Sequence, residues 1–482
     1  MYKLFLLLFI TVFAVSGLYA GTLAGKVTAK DNGEPLVGAN VYLKGTTVGS
    51  ATDDEGMYFI KIDDGRYDVV CDYVGYATVT KSVQVSGETV LDFELTEFLF
   101  ARAIDVFADR AKERETPVAY TNVDKMEIEN RLGSRDIPLI LNATPSVFAT
   151  DNGGGSGDAR INVRGFTQRN MAVMVNGVPV NDMENGWVYW SNWDGLGDAT
   201  SSIQIQRGLS AVNLATPSIG GTMNILTDPT AQVAGVSYKD EIGSGNFHKR
   251  TLFANTGLVD NKFALTLGGV RKTGEGLVDG AWTDAWAYYL GVSYQLNKTN
   301  RLELYATGAP QKHGQRRWRL NAATFSHELA EDLGYSNQVL NDPKFAEQGI
   351  LYNSNWSGVS SSYLDHQYWD GAQRERHDPG FINESENYYH KPIVNLNWYT
   401  QFTDKFNLYT TVYYSGGKGG GSGTYGSLGW DYSLQQRVID YDATIDRNEA
   451  NIDTMESGRV VKSSRGILRN SVKTHWTIGV LS

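Results

Sequence analysis

Over the last half of this chain, side chains alternate between apolar and polar with a period of two, in stretches of about ten residues. In residues 286–296 one face carries Trp286, Tyr288, Leu290, Val292, Tyr294 and Leu296, and the other Ala287, Tyr289, Gly291, Ser293 and Gln295. Residues 394–402 repeat this with Val394, Leu396, Trp398 and Phe402 against Asn395, Asn397, Tyr399 and Gln401. Residues 406–415 and 472–480 do the same. A period of two puts alternate side chains on opposite faces of a strand, and strands this long with one apolar face suit a wall between lipid and a polar lumen. Connection lengths alternate as well. Tight turns are expected at Asp260-Asn261, 297–300 and 403–405, and longer connections at 272–285, 310–390 and 416–470. Short turns at one end and long loops at the other are the mark of an antiparallel membrane barrel. The expectation is about eight such strands over residues 229–482.

Composition agrees with a barrel and removes other classes. The 482 residues are 41% hydrophobic and 12% aromatic, with 27 Tyr and 11 Trp, too polar overall for a bundle of membrane helices. A net charge of −11 lacks the basic footprint of nucleic-acid binding, so no nucleic-acid partner is expected. Residues 1–20 place Lys3 before an apolar run that ends in small residues near Ala20, which reads as a secretory signal peptide cut after Ala20. The single cysteine, Cys71, cannot pair within the chain and belongs to a strand, so it is expected to be buried and inert.

Residues 21–96 are strands and turns. Runs rich in β-branched and aromatic residues are separated by Asp31-Asn32-Gly33, Asp53 to Gly56, Asp63-Asp64-Gly65 and Ser86-Gly87. That spacing suits a small β-sandwich. Asp53, Asp54 and Glu55 lack the oxygen spacing of a calcium loop and are read as a solvated turn. Residues 97–121 form a linker. Residues 122–228 mix an amphipathic helix around Ile137, Leu139, Ile140 and Leu141, with Pro138 in its first turn, and short strands turning at Asn176-Gly177. The glycine-rich stretch 151–158 lacks dinucleotide-loop spacing and precedes a strand rather than a helix.

Three segments sharpen this reading: INVRGF (161–166), MVNGVPVND (174–182) and IQIQRGLSAVNLATPSIGGTMNILT (203–227). Together they resemble the plug domain of TonB-dependent outer-membrane receptors. GEPLVGANVYLKGTTVGSATDDEGMYFI (33–60) resembles the carboxypeptidase-regulatory-like domain that precedes the plug in Bacteroidetes-type receptors. The resemblance implies a mainly β chain: small β-sandwich, α+β plug, then the first part of an antiparallel transmembrane β-barrel. Such plugs sit in barrels of about 22 strands, whereas eight strands enclose only their own side chains. The chain is therefore expected to be a fragment of a longer product.

The same resemblance implies partners and site residues. Between sandwich and plug the family keeps a TonB box, for which Ala103, Ile104, Asp105, Val106, Phe107 and Ala108 are the best match. An extended segment there would add a strand to the sheet edge of TonB; an amphipathic linker is the alternative. Arg164 and Arg207, each followed by glycine, are candidates for holding the plug against acidic residues of the barrel; solvent-facing arginines in the lumen are the alternative. Trp187, Tyr189, Trp190 and Trp193 are candidates for contacting a ligand from outside, or for packing on the wall. The histidines and arginines of 310–390 suit capture of an anionic or aromatic ligand, or an ordinary wet loop. No catalytic motif stands out: His327-Glu328 begins a zinc motif that Glu331 breaks. No enzyme activity, cofactor or metal site is expected. The expected function is TonB-energised import of a bulky nutrient across the outer membrane, with outer-membrane lipid, TonB and the ligand as partners. A SusC-like glycan importer with a SusD-like lipoprotein, or a non-transporting adhesin, are the alternatives.

Overall fold

The computed structural model describes residues 21–481 other than 31, 74–75, 97–110, 112–117, 152–156, 158, 209–217, 364–365, 370–371, 404–405, 432–437, 451, 457–458 and 463–465. The expected signal peptide and TonB box therefore lie outside the described residues. The chain divides between residues 106 and 107 into two compact units.

The first unit is a β-sandwich. Its strands are β1 Gly21–Ala29, β2 Asn40–Leu43, β3 Gly49–Ala51, β4 Met57–Ile62, β5 Gly65–Asp72, β6 Val79–Val85, β7 Glu88–Val90 and β8 Phe93–Leu95. One sheet has the order β4-β1-β7, with β8 also on β1, and the other β3-β2-β5-β6. Alternation sends Leu23, Val27, Tyr58 and Ile60 inward from one sheet to meet Val41, Val69, Cys71 and Val85 from the other. The Asp53 carboxylate accepts from the backbone N–H of Glu55 (3.1 Å) and Met57 (2.7 Å), which fixes the turn before β4. Cys71 is buried among apolar side chains, and that burial, with the Asp72 charge beside it, pushes its thiol up to about 12.

The second unit begins with the plug. Strands β9 Ala119–Asp124, β10 Val147–Asp151, β11 Ala159–Val163, β12 Phe166–Thr167, β13 Met171–Val175, β14 Val178–Pro179, β15 Ser202–Arg207 and β16 Gly221–Leu226 form two sheets, β14-β13-β16-β15-β9 and β10-β11-β12. The helix expected around Ile137 is the short Ile137–Ile140, with Pro138 in its first turn, and a further helix precedes it, Lys125–Leu132, capped by the Asp124 carboxylate on the Glu127 N–H (2.9 Å). Gly133, at φ 46, ends that preceding helix, and the Asp136-Ile137-Pro138 sequence starts the short one. INVRGF is a hairpin turning at Arg164-Gly165 (φ 51 and 83), and MVNGVPV turns at Asn176-Gly177 (φ 48 and 83). Two consecutive positive φ values match the twist of the flanking strands.

The wall follows. Its strands are β17 Gly235–Gly243, β18 Phe247–Asn255, β19 Phe263–Gly274, β20 Thr283–Asn297, and β21 Asn300–Gly308 continued by β22 Gln311–Gly314. After short loop strands (β23 Trp356–Gly358, β24 His366–Trp369, β25 Ala372–Glu375, β26 Phe381–Asn383) come β27 Glu386–His390, continued by β28 Ile393–Thr403, and β29 Phe406–Gly426. A second loop holds β30 Gly429–Asp431, β31 Val438–Asp440, β32 Ile452–Glu456 and β33 Arg459–Lys462 before β34 Gly466–Leu481. Taking β21–β22 and β27–β28 each as one bent strand gives eight neighbours, joined in sequence order and antiparallel throughout. Among the described pairings β17 has only β18 beside it and β34 only β29, so the sheet is an open wall. Trp286, Tyr288, Tyr294, Leu296, Val394, Leu396, Trp398, Trp476, Ile478 and Val480 form the exposed outer face. Ala287, Tyr289, Ser293, Gln295, Asn395, Asn397 and Tyr399 point inward and are buried.

Three connections are shorter than the sequence suggested, the first, 272–285, because β19 runs to Gly274 and β20 starts at Thr283. Strand pairing claims both ends of 310–390, leaving 315–385, and the glycine-rich 416–426 is strand rather than flexible loop. Those glycines pair with β34 and β27. Any Cβ on Gly419 would collide with the Tyr389 ring, so the glycine is the space the aromatic fills.

Cys71 gives a direct check on the first unit. Maleimide added to the folded protein at pH 7 to 9 should leave this thiol unmodified, and denaturant should make it react stoichiometrically; rapid labelling of the native chain would contradict its burial.

Candidate functional site

The plug touches the wall through charges that neither segment shows in isolation. Lys249 on β18 and Lys272 on β19 point into the lumen, with only 4% and 5% of their side chains exposed. Lys249 Nζ meets the Asp198 carboxylate at 2.9 to 3.0 Å and the Glu241 carboxylate of β17 at 3.5 Å. Lys272 Nζ meets Asp194 at 2.6 Å. Asp198 lies within the single helical turn Leu196–Ala199 of the plug, and Asp194 lies just before it. Two cations this dry are tolerated because each has a carboxylate at hydrogen-bond distance.

A third plug carboxylate completes the cluster. Asp136 is buried and accepts from the backbone N–H of Gly157 (2.9 Å) and Ala159 (3.1 Å). Burial pushes it up to about 7, with Lys272 pulling the other way and Asp194 and Asp151 adding to the rise.

Further round the wall the contacts are neutral. Tyr289 donates its hydroxyl to Thr227 Oγ1 at 2.8 Å, and Asn397 Nδ2 donates to the Asn176 carbonyl at 3.4 Å. Beneath Asn397 the buried Glu303 carboxylate pairs with Arg301 and accepts from Tyr305 (2.9 Å) and Tyr399 (3.2 Å). This network stiffens the inner face, and Asn397 links it to the plug through Tyr399.

The two expected plug arginines are brought close, with Arg164 over the glycine that follows Arg207. Arg164 is exposed at φ 51, a conformation that costs an ordinary residue about 1–2 kcal/mol, and its guanidinium lies over Gly208. Arg207 donates to the carbonyls of Pro145 (3.1 Å) and Tyr120 (3.3 Å), tying edge strand β9 to the turn before β10. Their described partners are thus within the plug, and the plug–wall ion pairs have the opposite polarity: lysines on the wall, aspartates on the plug. Sequence reasoning missed Lys249, Lys272, Asp194 and Asp198. One lysine on the lumen-facing side of each of β18 and β19 was the available signal.

The aromatic quartet divides. Trp190 and Trp193 are buried in the plug core, with Trp190 Nε1 donating to Gln168 Oε1 at 3.1 Å, so their rings do not face a ligand. Tyr189 is exposed and hydrogen-bonded by Asn185 Nδ2 at 3.2 Å. Trp187 is half-buried, with the guanidiniums of Arg160 and Arg169 at 5.2 and 5.0 Å from its ring. The loop histidines do not converge. His313 lies buried in β22, His327 meets the Phe345 carbonyl, His377 stacks on Trp282 at 4.3 Å, and His390 meets Tyr288. The His366 side chain lies outside the described residues. No group of three potential metal ligands comes together among the described residues.

Residues 23–99 match the family model described as CarboxypepD_reg-like domain, and residues 112–222 that of the TonB-dependent Receptor Plug Domain. The chain is 28% identical over 186 residues to TonB-dependent receptor P39 of Formosa agariphila, covering 37% of this chain and 18% of that protein. It is 27% identical over 188 residues to TonB-dependent receptor SusC of Bacteroides thetaiotaomicron, covering 38% and 18%. The chain thus spans 18% of the length of both relatives. Among solved structures, the ferric-catecholate import receptor Fiu of E. coli K12 aligns with a TM-score of 0.46 at 14% identity, covering 74% of this chain and 42% of that one.

Asp136 makes the seated plug sensitive to pH. Its raised value means the folded state binds a proton that the unfolded chain releases, so its contribution is favourable at low pH and is lost as pH rises through about 7. Replacing it with Asn should therefore gain on the parent as pH rises, by roughly 1.4 kcal/mol per unit between about pH 4 and 7. Urea midpoints of both proteins across that range measure it; a difference independent of pH would contradict the assignment.

Proposed function

We propose that this chain, in which residues matching a TonB-dependent receptor plug lie against an outer-membrane type of wall, is a TonB-dependent receptor that serves energised import of a bulky ligand. The observation that carries this reading is the plug seated on the lumen face of the wall by Lys249–Asp198 and Lys272–Asp194. A folded globule held there by breakable contacts is a closure that can be moved. The wall's exposed apolar face fits the outer membrane, which is where this family resides.

In this proposal the ligand arrives at the end of the wall that carries the long loops. Tyr189 and the Trp187–Arg160–Arg169 group offer it an aromatic and cationic surface. Trp187 already carries two guanidiniums, so it presents charge rather than a bare ring. TonB would take hold of residues 103–108 by strand addition and use the proton-motive force to rearrange the plug. Ligand binding must bias exposure of that segment, a coupling between two sites. The chemistry expected is transport rather than catalysis. The likeness to SusC favours one refinement, in which a SusD-like lipoprotein covers the loop end.

Deleting residues 103–108 from the protein in its native cell tests the reading. Uptake of the ligand should fall to the level of cells lacking TonB while binding to the cell surface persists. Unchanged uptake would refute TonB-driven transport and favour an adhesin.

A further inference from the structure

At the loop end of the wall, the connection after β22 folds over two turns and closes a cavity with them. The turns are 244–246, between β17 and β18, and 275–282, between β19 and β20. The cavity measures about 660 Å³, and its lining includes Glu275, Val278, Asp279, Trp356, His377 and Asp378. That volume is in the range of small-molecule sites. None of the lining residues belongs to the plug. Glycine permits the close approach of the segments. A Cβ on Gly245 (φ 67) would collide with the Gly276 carbonyl, and one on Gly280 (φ 65) with the Trp356 ring. Hydrogen bonds then fix them. The Glu275 N–H donates to the Gly245 carbonyl at 2.6 Å, and the Asp279 N–H to the Leu351 carbonyl at 3.0 Å. Buried Asn353 and Asn383 donate to the carbonyls of Asp279 (2.7 Å) and Gly280 (2.9 Å). The rings are held as well, Trp356 stacked on Phe381 at 4.0 Å and His377 on Trp282 at 4.3 Å. A cavity built this way exists before a ligand arrives, so little ordering is lost on binding.

Its charge is opposite to that of the Trp187–Arg160–Arg169 surface. Glu275, Asp279 and Asp378 bring three carboxylates, against the His377 imidazole, 2.8 Å from Glu275, and the Arg316 guanidinium near Asp279. Asp378 accepts from the Gly380 N–H at 2.9 Å. The Asp279 carboxylate accepts no hydrogen bond among the described residues; its partial burial raises it, and Arg316 opposes the rise. Val278 and the Trp356 ring add apolar surface beside these oxygens. Among the described residues no three potential metal ligands gather, so a bare ion would meet the carboxylates one at a time. A larger cation meets carboxylate and ring together. We propose that this cavity binds an organic cation of about dipeptide size. Its guanidinium or amine is set toward Asp279 and Glu275, and its apolar or aromatic body lies against Trp356 and Val278. The site goes beyond the transport reading and does not depend on it.

Nα-benzoyl-arginine amide is the probe, and Nα-benzoyl-citrulline amide, of the same shape without the charge, is the control. Binding to the full chain in nanodiscs of zwitterionic lipid is read by saturation-transfer NMR, with empty nanodiscs subtracted. The arginine compound should bind saturably and lose affinity as salt is added. The citrulline compound should bind about tenfold more weakly or worse, having no charge for the carboxylates. Glu275→Gln with Asp279→Asn should weaken the arginine compound by about tenfold or more and leave the citrulline compound unchanged. Both residues are exposed, so removing their charge leaves the packing intact. Glu275→Lys alone reverses one charge and should act in the same direction. Equal binding of the two compounds, no saturable binding of the arginine compound, or an affinity unmoved by these replacements would overturn the site. Neither TonB nor uptake enters the measurement, so failure here leaves the transport reading standing, and failure of the deletion test leaves the cavity standing.

Discussion

A strand in hydrocarbon has no water to satisfy its backbone, so every N–H and C=O must be taken up by neighbouring strands. That requirement forces the continuous ladder from β17 to β34, and the ladder forces a period of two on side chains. One face is left for lipid and the other for whatever occupies the lumen. Everything else in the second unit follows from the inner face having a tenant. Lys249, Lys272, Tyr289 and Asn397 are polar at lumen positions because each meets a group on the plug.

The plug itself is built to be held rather than to be self-sufficient. Its core of Ile128, Ile161, Val173, Ile203, Met223 and Ile225 is ordinary, and Ile393 of the wall joins it. Its polar groups are less ordinary. Asp136 spends its carboxylate on the backbone of Gly157 and Ala159 beside a cluster in which buried carboxylates outnumber the two buried lysines. A site of that kind favours a proton on one carboxylate, and it ties the plug's internal geometry to the wall's charge.

Much of this architecture is legible in the sequence because it is periodic or local. The faces of 286–296 and 394–402 fall as alternation dictates, and Asn176-Gly177 turns because both residues accept positive φ. What is not legible depends on pairing between distant residues. Lys272 and Asp194 are far apart in the chain, and no local pattern marks them as partners. The glycines of 416–426 fall within an expected long connection, and their place in a strand shows only when Tyr389 is seen lying over Gly419. Trp190 and Trp193 look like a ligand platform in a list of aromatics, and their burial appears only once they join the folded plug core.

The most direct test of the account is a nitroxide scan of residues 286–296 in the full chain in lipid bilayers, read with a lipid-soluble and a water-soluble relaxation agent. The account predicts that the lipid-soluble agent reaches positions 286, 288, 290, 292, 294 and 296, and that positions 287, 289, 291, 293 and 295 are shielded from both agents by the plug. A period other than two, or free access of the water-soluble agent to positions 287 and 289, would contradict a wall with lipid on one side and a seated plug on the other.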